Sequence, residues 1–401
     1  MATLVNNEIY FMGGSKPIPK NSPVWTQNHQ YSLSDEVFSL NISSSFTVDL
    51  PPFTDLSDRS RMPFGSEKGT TVLGGNGQRI YLIGGVQQNM VTSDYNATNS
   101  ILWIYTINTQ QWNTSGSGTH GTLLPRRRST GTIIDSKNII YIFGGKVELD
   151  MGSSVFTIFD DLFTFDINLL EWKNLSLPNH PSKRSHATAT LIPDRKIIYI
   201  GGVTQSNSGG NGTRLLMTEI YFIDTIQLTW SSKTTKSPDS VNIDPRVGLS
   251  AFLAPDKHTI VIFGGTQDGF AQITAYPVFV LLNVKSEPFQ YSTDLPLKCN
   301  ITNDFGPSNN KSAYVYLMDL SNYTWVTQFG EPTPTDFGKT TPTELVIIIC
   351  SIVASLLIIG AIVLFCYIRK EENEKYKCSN WIFIWHKTKR NVVDTDSEAP
   401  S

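Results

Sequence analysis

A short apolar run that ends in two glycines occurs five times along this sequence. The copies read EIYFMGG, RIYLIGG, IIYIFGG, IIYIGG and IVIFGG. Recurrence at intervals of 57 to 71 residues indicates a repeat architecture, in which each unit buries apolar surface against its neighbours. The glycine pairs are Gly13 and Gly14, Gly84 and Gly85, Gly144 and Gly145, Gly201 and Gly202, and Gly264 and Gly265.

Each repeat is predicted to contain four antiparallel strands. The run before the glycines has the β-branched and aromatic composition of a buried strand. A hairpin is predicted 24 to 32 residues after each pair, where apolar residues lead through a polar turn to a closing aromatic residue. One more strand, led by an arginine, precedes the run in three repeats. The closing aromatics are Phe46, Trp112, Trp172, Trp230 and Phe289, with a further one at Trp325, and the leading arginines are Arg128, Arg184 and Arg246.

Four-stranded units that cannot bury both faces alone pack radially around an axis, which predicts a β-propeller. A helical solenoid is excluded, because no period of 3.6 residues recurs outside residues 345–368. The combination of diglycine, aromatic strand and tryptophan resembles the kelch repeat over residues 1–326. The resemblance implies an all-β, kelch-type propeller of the galactose oxidase-like superfamily, in which the glycines, the closing aromatics and the arginines serve packing.

The pattern breaks near the end of the predicted propeller. Trp325 follows Phe289 by 36 residues, whereas the other closing aromatics are 58 to 66 residues apart. The sixth glycine pair would fall near Lys298 and Cys299, where the sequence shows no strand. We therefore expect about six blades, the last one incomplete. A permuted ring is one explanation, and a sequence that lacks part of a blade is the favoured one, because an open ring exposes strand edges.

The C-terminal part predicts a membrane anchor. Residues 327–344 are rich in Thr and Pro and are predicted to form a stalk. Residues 345–368 contain 24 residues without a charge, enough for a single transmembrane α-helix in the lipid bilayer. Residues 369–401 begin with several basic residues, which favours a cytoplasmic tail and an extracellular propeller.

Sites for N-linked sugar support the same orientation. Asn-x-Ser/Thr triplets all precede residue 345. The N-terminal stretch MATLVNNEIYFMGG, however, shows no signal peptide, so a tail-anchored kelch scaffold with a cytoplasmic propeller remains the alternative. The candidate glycosylation sites are Asn41, Asn96, Asn113, Asn174, Asn211, Asn300, Asn310 and Asn322.

Composition and chemistry argue against several functions. A net charge of −3 gives no sign of nucleic-acid binding. Only Cys299 falls in the predicted propeller, so no disulfide is expected within it. A copper-radical carbohydrate oxidase, the enzymatic alternative, would need His, Tyr and Cys ligands together. The histidines are scattered over the repeats, and we predict no metal, no cofactor and no catalytic residue.

Long insertions follow the glycine pairs and predict a binding surface. Because they connect the same two strands of each repeat, we expect them all on one face of the disc. Exposed aromatics in these segments suit a protein or glycan ligand, and the candidates are Trp25, Tyr31 and Tyr95. The sequence thus predicts a membrane-anchored binding module for adhesion, sensing or scaffolding. The insertions comprise residues 15–36, 86–100, 146–161 and 203–219.

Overall fold

The computed structural model describes residues 1–22, 26, 31–95, 101–114, 118–148, 155–237, 241–267, 273–293, 317–320 and 323–330. These residues form mainly antiparallel sheets arranged as consecutive blades of a β-propeller. No helix among them is long and apolar enough to cross a membrane. Several sequence predictions lie outside the described residues, namely Trp25, Cys299, Asn96, Asn300, Asn310, Asn322 and the segment 345–368.

Blade one is the sheet β1-β2-β5-β7, with the ladder β3-β4 in its insertion. The hairpin predicted to close at Phe46 is wrong for this blade, because the outer strand is formed by residues 53–55. The Asn41 side chain accepts the Ser43 N–H at 2.8 Å and turns the chain away from the sheet. The elements are β1 Ala2–Val5, β2 Glu8–Met12, β3 Ser15–Pro17, β4 Tyr31–Leu33, β5 Val37–Asn41, β6 Phe46–Thr47, β7 Phe53–Asp55 and α1 Ser57–Ser60.

Blades two and three follow the predicted four-strand plan. Blade two is the sheet β9-β10-β12-β13, and blade three is β15-β16-β19-β20 with β14 added at its outer edge. The elements are β8 Gly65–Glu67, β9 Thr70–Gly74, β10 Arg79–Ile83, β11 Val86–Gln88, β12 Leu102–Thr106, β13 Gln111–Thr114, β14 His120–Gly121, β15 Gly131–Ile134, β16 Ile139–Phe143, β17 Lys146–Glu148, β18 Phe156–Ile158, β19 Leu162–Asp166 and β20 Glu171–Leu175.

Blades four and five are the sheets β21-β22-β25-β26 and β27-β28-β29-β30. A further two-stranded sheet, β31-β32, comes after them in the chain. The elements are β21 Thr188–Leu191, β22 Lys196–Ile200, β23 Val203–Gln205, β24 Gly212–Arg214, β25 Glu219–Asp224, β26 Thr229–Thr234, β27 Ser250–Leu253, β28 Thr259–Phe263, β29 Phe279–Asn283, β30 Gln290–Ser292, β31 Leu317–Asp319, β32 Thr324–Val326 and β33 Gln328–Phe329.

The core consists of apolar clusters that lie between neighbouring blades. Four clusters join blade one to two, two to three, three to four and four to five. A fifth joins blades one and five through Leu317 and Met318 of β31. The described residues thus form five blades of four or five strands, with β31-β32 packed between the last and the first. The expected count of six blades stays a prediction.

The polar turns predicted for the hairpins are confirmed in blades three, four and five. Asp166 accepts the backbone N–H groups of Asn168 and Leu169 at 2.8 and 3.0 Å. Asp224 and Asn283 do the same one and two blades further on. A side chain that satisfies the turn's own amides fixes the turn locally, which is why the sequence reveals it.

The glycine pairs join one blade to the next. Gly144 and Gly145 both have positive φ, +66° and +92°, and the N–H of Gly145 donates to the carbonyl of Arg184 at 2.9 Å. The pairs of blades one, two and four make the same bond to their next blade. The glycines therefore allow a close approach between blades as well as a turn within one.

Buried arginines complete these junctions. Arg127 donates to the carbonyl of Gly144 at 3.0 Å, and its own carbonyl accepts from Gly85 of the preceding blade at 3.0 Å. Arg246 makes the equivalent bonds to Gly264 and Gly202. The prediction of Arg128 for blade three is wrong: Arg127 is the buried residue, because its guanidinium donates to the Gly144 carbonyl and pairs with Asp161.

The closing aromatics pack as the kelch resemblance implies. Trp172 lies 4.6 Å from the ring of Phe165, and Trp112 lies 5.1 Å from Tyr105, measured between ring centroids. Trp230 reaches Phe143 of the preceding blade at 4.9 Å, so it contributes to the cluster between blades.

Candidate functional site: the insertion face and the channel mouth

The insertions form short β-ladders above one face of the propeller. Strands β2, β10, β16 and β22 run toward this face and end at their glycine pairs, and the next strand is β3, β11, β17 or β23. These pair in the ladders β3-β4, β8-β11, β17-β18 and β23-β24. We call this side of the molecule the insertion face. Its segments were predicted as loops, and the structure shows that hydrogen bonding orders part of each.

Two buried glutamines tie neighbouring insertions together. Gln88 of blade two accepts the backbone N–H of Leu33 of blade one at 2.7 Å. Gln205 of blade four accepts the N–H of Ile158 of blade three at 3.1 Å and donates to the carbonyl of Phe156 at 3.0 Å. Both side chains are almost fully buried, so these bonds hold the insertions of blades one and two, and of three and four, in fixed relative positions.

Large apolar side chains are exposed at the outer parts of successive insertions. They belong to four blades, two to five. Several exposed apolar side chains on one surface indicate a region where another molecule can bind. The exposed fractions are 91% for Val91, 49% for Val155, 60% for Leu216 and 53% for Ile273.

The insertion face surrounds the mouth of a central channel. Lys68, Ser129, His186 and Gly248 occupy the same position in blades two to five, each with φ between +54° and +67°. Backbone N–H groups of Ser129 and His186 donate to the carbonyls of Lys68 and Ser129, both at 2.9 Å. Gly248 donates to the carbonyl of His186 at 3.4 Å. We call these four residues the collar, because they link the blades around the channel mouth.

Charged residues of both signs lie next to the collar, where Glu67 pairs with Lys68 at 3.0 Å. Arg128 and Lys146 form a bridge with two backbone hydrogen bonds of 2.9 Å, so their side chains leave the same side of the sheet. Burial lowers the pKa of His186 well below its usual value, and the charges of Lys146, Arg128 and Lys68 lower it further. His186 is therefore neutral at neutral pH.

A cavity of about 600 Å³ lies within the ring of innermost strands. Strands β1, β9, β15, β21 and β27 line it, largely with threonine, small and aliphatic residues. The hydroxyl groups of Ser129 and Thr188, two lining residues, are buried without a hydrogen-bond partner. These two hydroxyl groups are unsatisfied hydrogen-bond donors on the wall of the channel.

Two of the three predicted binding aromatics are among the described residues. Tyr31 lies in β4, and burial raises its pKa to about 12. Tyr95 forms a bridge with Gln88, and its pKa is raised by burial and then by Glu67. Both belong to the insertion face, and each is half-buried in the ladder structure. Their role in binding stays a prediction.

The sequence missed the collar and the glutamine links. Each collar residue stands two positions after Arg127, Arg184, Arg246 or the equivalent Ser66. An alignment of the repeats on the arginine reveals this position. The residue type there differs from one repeat to the next, so the position has no sequence motif. Gln88 and Gln205 both stand three residues after the second glycine, a weak signal that two of the repeats share.

Four of the glycosylation triplets have their asparagine among the described residues. Asn113, Asn174 and Asn211 have exposed side chains, whereas Asn41 is half-buried and hydrogen bonded to Ser43. Their use as sugar sites stays a prediction. Within the described part of the chain, no three His, Cys, Asp or Glu side chains are grouped as metal ligands.

Comparison with known proteins settles the family. The family model for the Attractin/LZTR1 beta-propeller matches residues 1–272, which contain blades one to four and the start of blade five. The chain belongs to the Attractin/LZTR1 beta-propeller family. The kelch-type resemblance is thereby confirmed.

A solved structure shows the same fold as this Attractin/LZTR1-type propeller. YjhT aligns with a TM-score of 0.51 and 16% sequence identity, and the alignment covers 73% of this chain and 83% of YjhT. At 16% identity the likeness shows a shared fold and carries no information on function.

Proposed function

We propose that this propeller is a protein-binding module that engages its partner through the insertion face. The observation that carries the proposal is the ordering of the insertions by Gln88 and Gln205, which contribute little to the blades themselves. Loops held on a rigid scaffold are a common way to present a binding surface. Adhesion, sensing and scaffolding all fit this activity.

Attachment to a membrane and an outward-facing propeller form the second part of the proposal. Support comes from the uncharged stretch of residues 345–368, from the basic residues that follow it, and from the three exposed glycosylation triplets.

Cross-linking on cells that make the full chain tests both parts. A membrane-impermeant cross-linker applied to intact cells should join the chain to a partner. The double variant V91E/L216E should lose that product, since a charge at each exposed apolar position prevents burial against the partner. The matched control is L169E/I226E, which adds the same charges at exposed apolar residues in turns of the opposite face.

The outcomes separate the two parts of the proposal. A product that persists in V91E/L216E, or that is lost equally in the control, contradicts binding through the insertion face. A product that forms only after the cells are permeabilised, and still depends on Val91 and Leu216, leaves the binding function in place but puts the propeller in the cytoplasm.

A further inference from the structure

The buried arginines of blades three and five are fully engaged in hydrogen bonds. Arg127 donates to both carboxylate oxygens of Asp161 and to the carbonyl of Gly144 at 3.0 Å. Arg246 donates to four backbone carbonyls, at distances of 2.8 to 3.2 Å. Burial of a guanidinium is costly unless its donors are paired, and these two arginines meet that requirement.

Arg184, the equivalent residue of blade four, lacks such partners. Its side chain is buried, with 2% of the residue exposed. No hydrogen bond or ion pair joins its guanidinium to any residue that the structure describes, and Nε is buried without a partner. The guanidinium carbon lies 5.1 Å from the centroid of the Tyr221 ring, a contact that uses none of the N–H donors. Burial lowers the pKa of Arg184 to about 10, so the group still carries its charge at neutral pH.

The acid that could pair with Arg184 is engaged elsewhere. Glu219 occupies in blade four the place of Asp161 in blade three, five residues before the aspartate of the hairpin turn. Its carboxylate accepts the hydroxyl of Tyr221 at 2.8 Å, and the residue is exposed where the insertion enters β25. The charge of Glu219 acts on Arg184 without forming an ion pair with it. The junction of blades three and four therefore holds a cation that the fold leaves unpaired, close to the insertion face.

We propose that Arg184 binds a carboxylate supplied by a side chain of the protein partner, an inference that rests on the proposed function. The planar guanidinium offers parallel N–H donors that match the two oxygens of a carboxylate. Binding removes the cost of a buried charge without a partner. Glu219 turns outward to admit the ligand. Leu216, which is 60% exposed and stands three residues before Glu219, contacts apolar atoms of the same partner segment.

Acetate is the probe for the carboxylate site. The melting temperature of the purified full chain in detergent is measured in sodium acetate and in sodium chloride of equal concentration. Acetate should raise it by about 2 °C relative to chloride, since a ligand of the folded state stabilises that state. R184Q should abolish the difference, because the paired donors are lost. The control R195Q removes an exposed arginine from a turn of the opposite face and should keep the difference.

Two conservative variants separate binding from a structural role. E219Q should enlarge the acetate effect, because it removes a competing negative charge and still accepts a hydrogen bond from Tyr221. R184K keeps a positive charge without the planar donors and should reduce the effect, so it serves in place of R184Q if that variant does not fold. An acetate effect as large in the Arg184 variants as in the unmodified chain overturns the proposal. So does an effect that E219Q leaves unchanged.

The cross-linking experiment on intact cells tests the source of the carboxylate. R184Q should reduce the cross-linked product roughly tenfold, as expected for a lost charge-assisted contact, and R195Q should not. A product that persists in R184Q overturns the proposal, because a free carboxylate is then the ligand of Arg184. In that case a product that still depends on Val91 and Leu216 leaves the binding function intact.

Discussion

Gly144 and Gly264 occupy equivalent positions and differ in what surrounds them. Both have left-handed backbone, with φ of +66° and +68°. A Cβ at Gly144 would overlap the carbonyl oxygen of Arg184 in the next blade, whereas a Cβ at Gly264 would meet no described atom within 4 Å. Both positions thus require glycine for their backbone conformation. At Gly144 the close approach of the next blade adds a steric requirement.

Substitution by alanine should reveal that difference. G264A is expected to lower the free energy of unfolding by about 1–2 kcal/mol, the cost of left-handed backbone with a Cβ. G144A should lower it by roughly 3 kcal/mol or more, because the blades must also move apart. Denaturant unfolding of the two variants measures both values. Equal losses would show that contact with the next blade contributes nothing to the choice of glycine.

Among the secondary-structure elements, the strands of the insertions are the hardest to predict from the local sequence. Ladder β17-β18 is connected to the insertion of blade four through Gln205, which bonds to Ile158, Phe156 and Gly210. This glutamine is only 3% exposed. Its hydrogen bonds link the insertions of two blades. The insertion face is therefore ordered by contacts between neighbouring insertions as well as within each one.

Replacing Gln205 should loosen the insertions and spare the blades. In Q205L the N–H of Ile158 and the carbonyl of Gly210 lose the glutamine as a partner, at a local cost of about 1–3 kcal/mol, whereas the carbonyl of Phe156 still accepts from the N–H of Gly209. Amide hydrogen exchange should become faster in β18, β23 and β24, and stay unchanged in β22 and β25. Q227L, at an exposed turn position, is the control. Exchange that accelerates across the whole of blade four would contradict a role limited to the insertions.

The whole molecule is closed by residues far apart in the chain. Strand β33 pairs with β6, and the ring of Phe329 lies 5.2 Å from that of Phe46. Leu317 and Met318 fill the space between blades one and five. Gln328 and Phe329 belong to the segment that the sequence predicted as stalk, so pairing with blade one orders the beginning of that segment. The domain boundaries further along the chain stay predictions.

Weakening this closure should affect blade one first. F329A is expected to cost roughly 2 kcal/mol, since a half-buried phenylalanine is removed from the contact with Phe46. Hydrogen exchange should rise in β6, and denaturant unfolding should shift to lower concentration. L50A, which truncates an 80% exposed residue close to β6, should change neither. Identical behaviour of the two variants would mean that β33 does not hold the ring together.

Much of the fold was predictable because the signals are local. The apolar runs, the Asp and Asn turns and the closing tryptophans are each set by neighbouring residues. The structure confirms the runs and tryptophans in blades two to four and the turns in blades three to five. Blade one departs from the pattern, since its outer strand lies beyond Phe46. The collar was less accessible to sequence analysis, because Lys68, Ser129 and His186 come from different blades and share no side-chain motif.

The sequence by itself determined that the chain is a repeat of four-stranded units, since strand period and turn chemistry act over a few residues. Only the tertiary structure decided which arginine is buried, why two glycines are needed and which residues meet in the collar. Those features depend on contacts between one blade and the next. They are fixed by the curvature of the ring, which brings together residues about 40 to 60 positions apart in the chain.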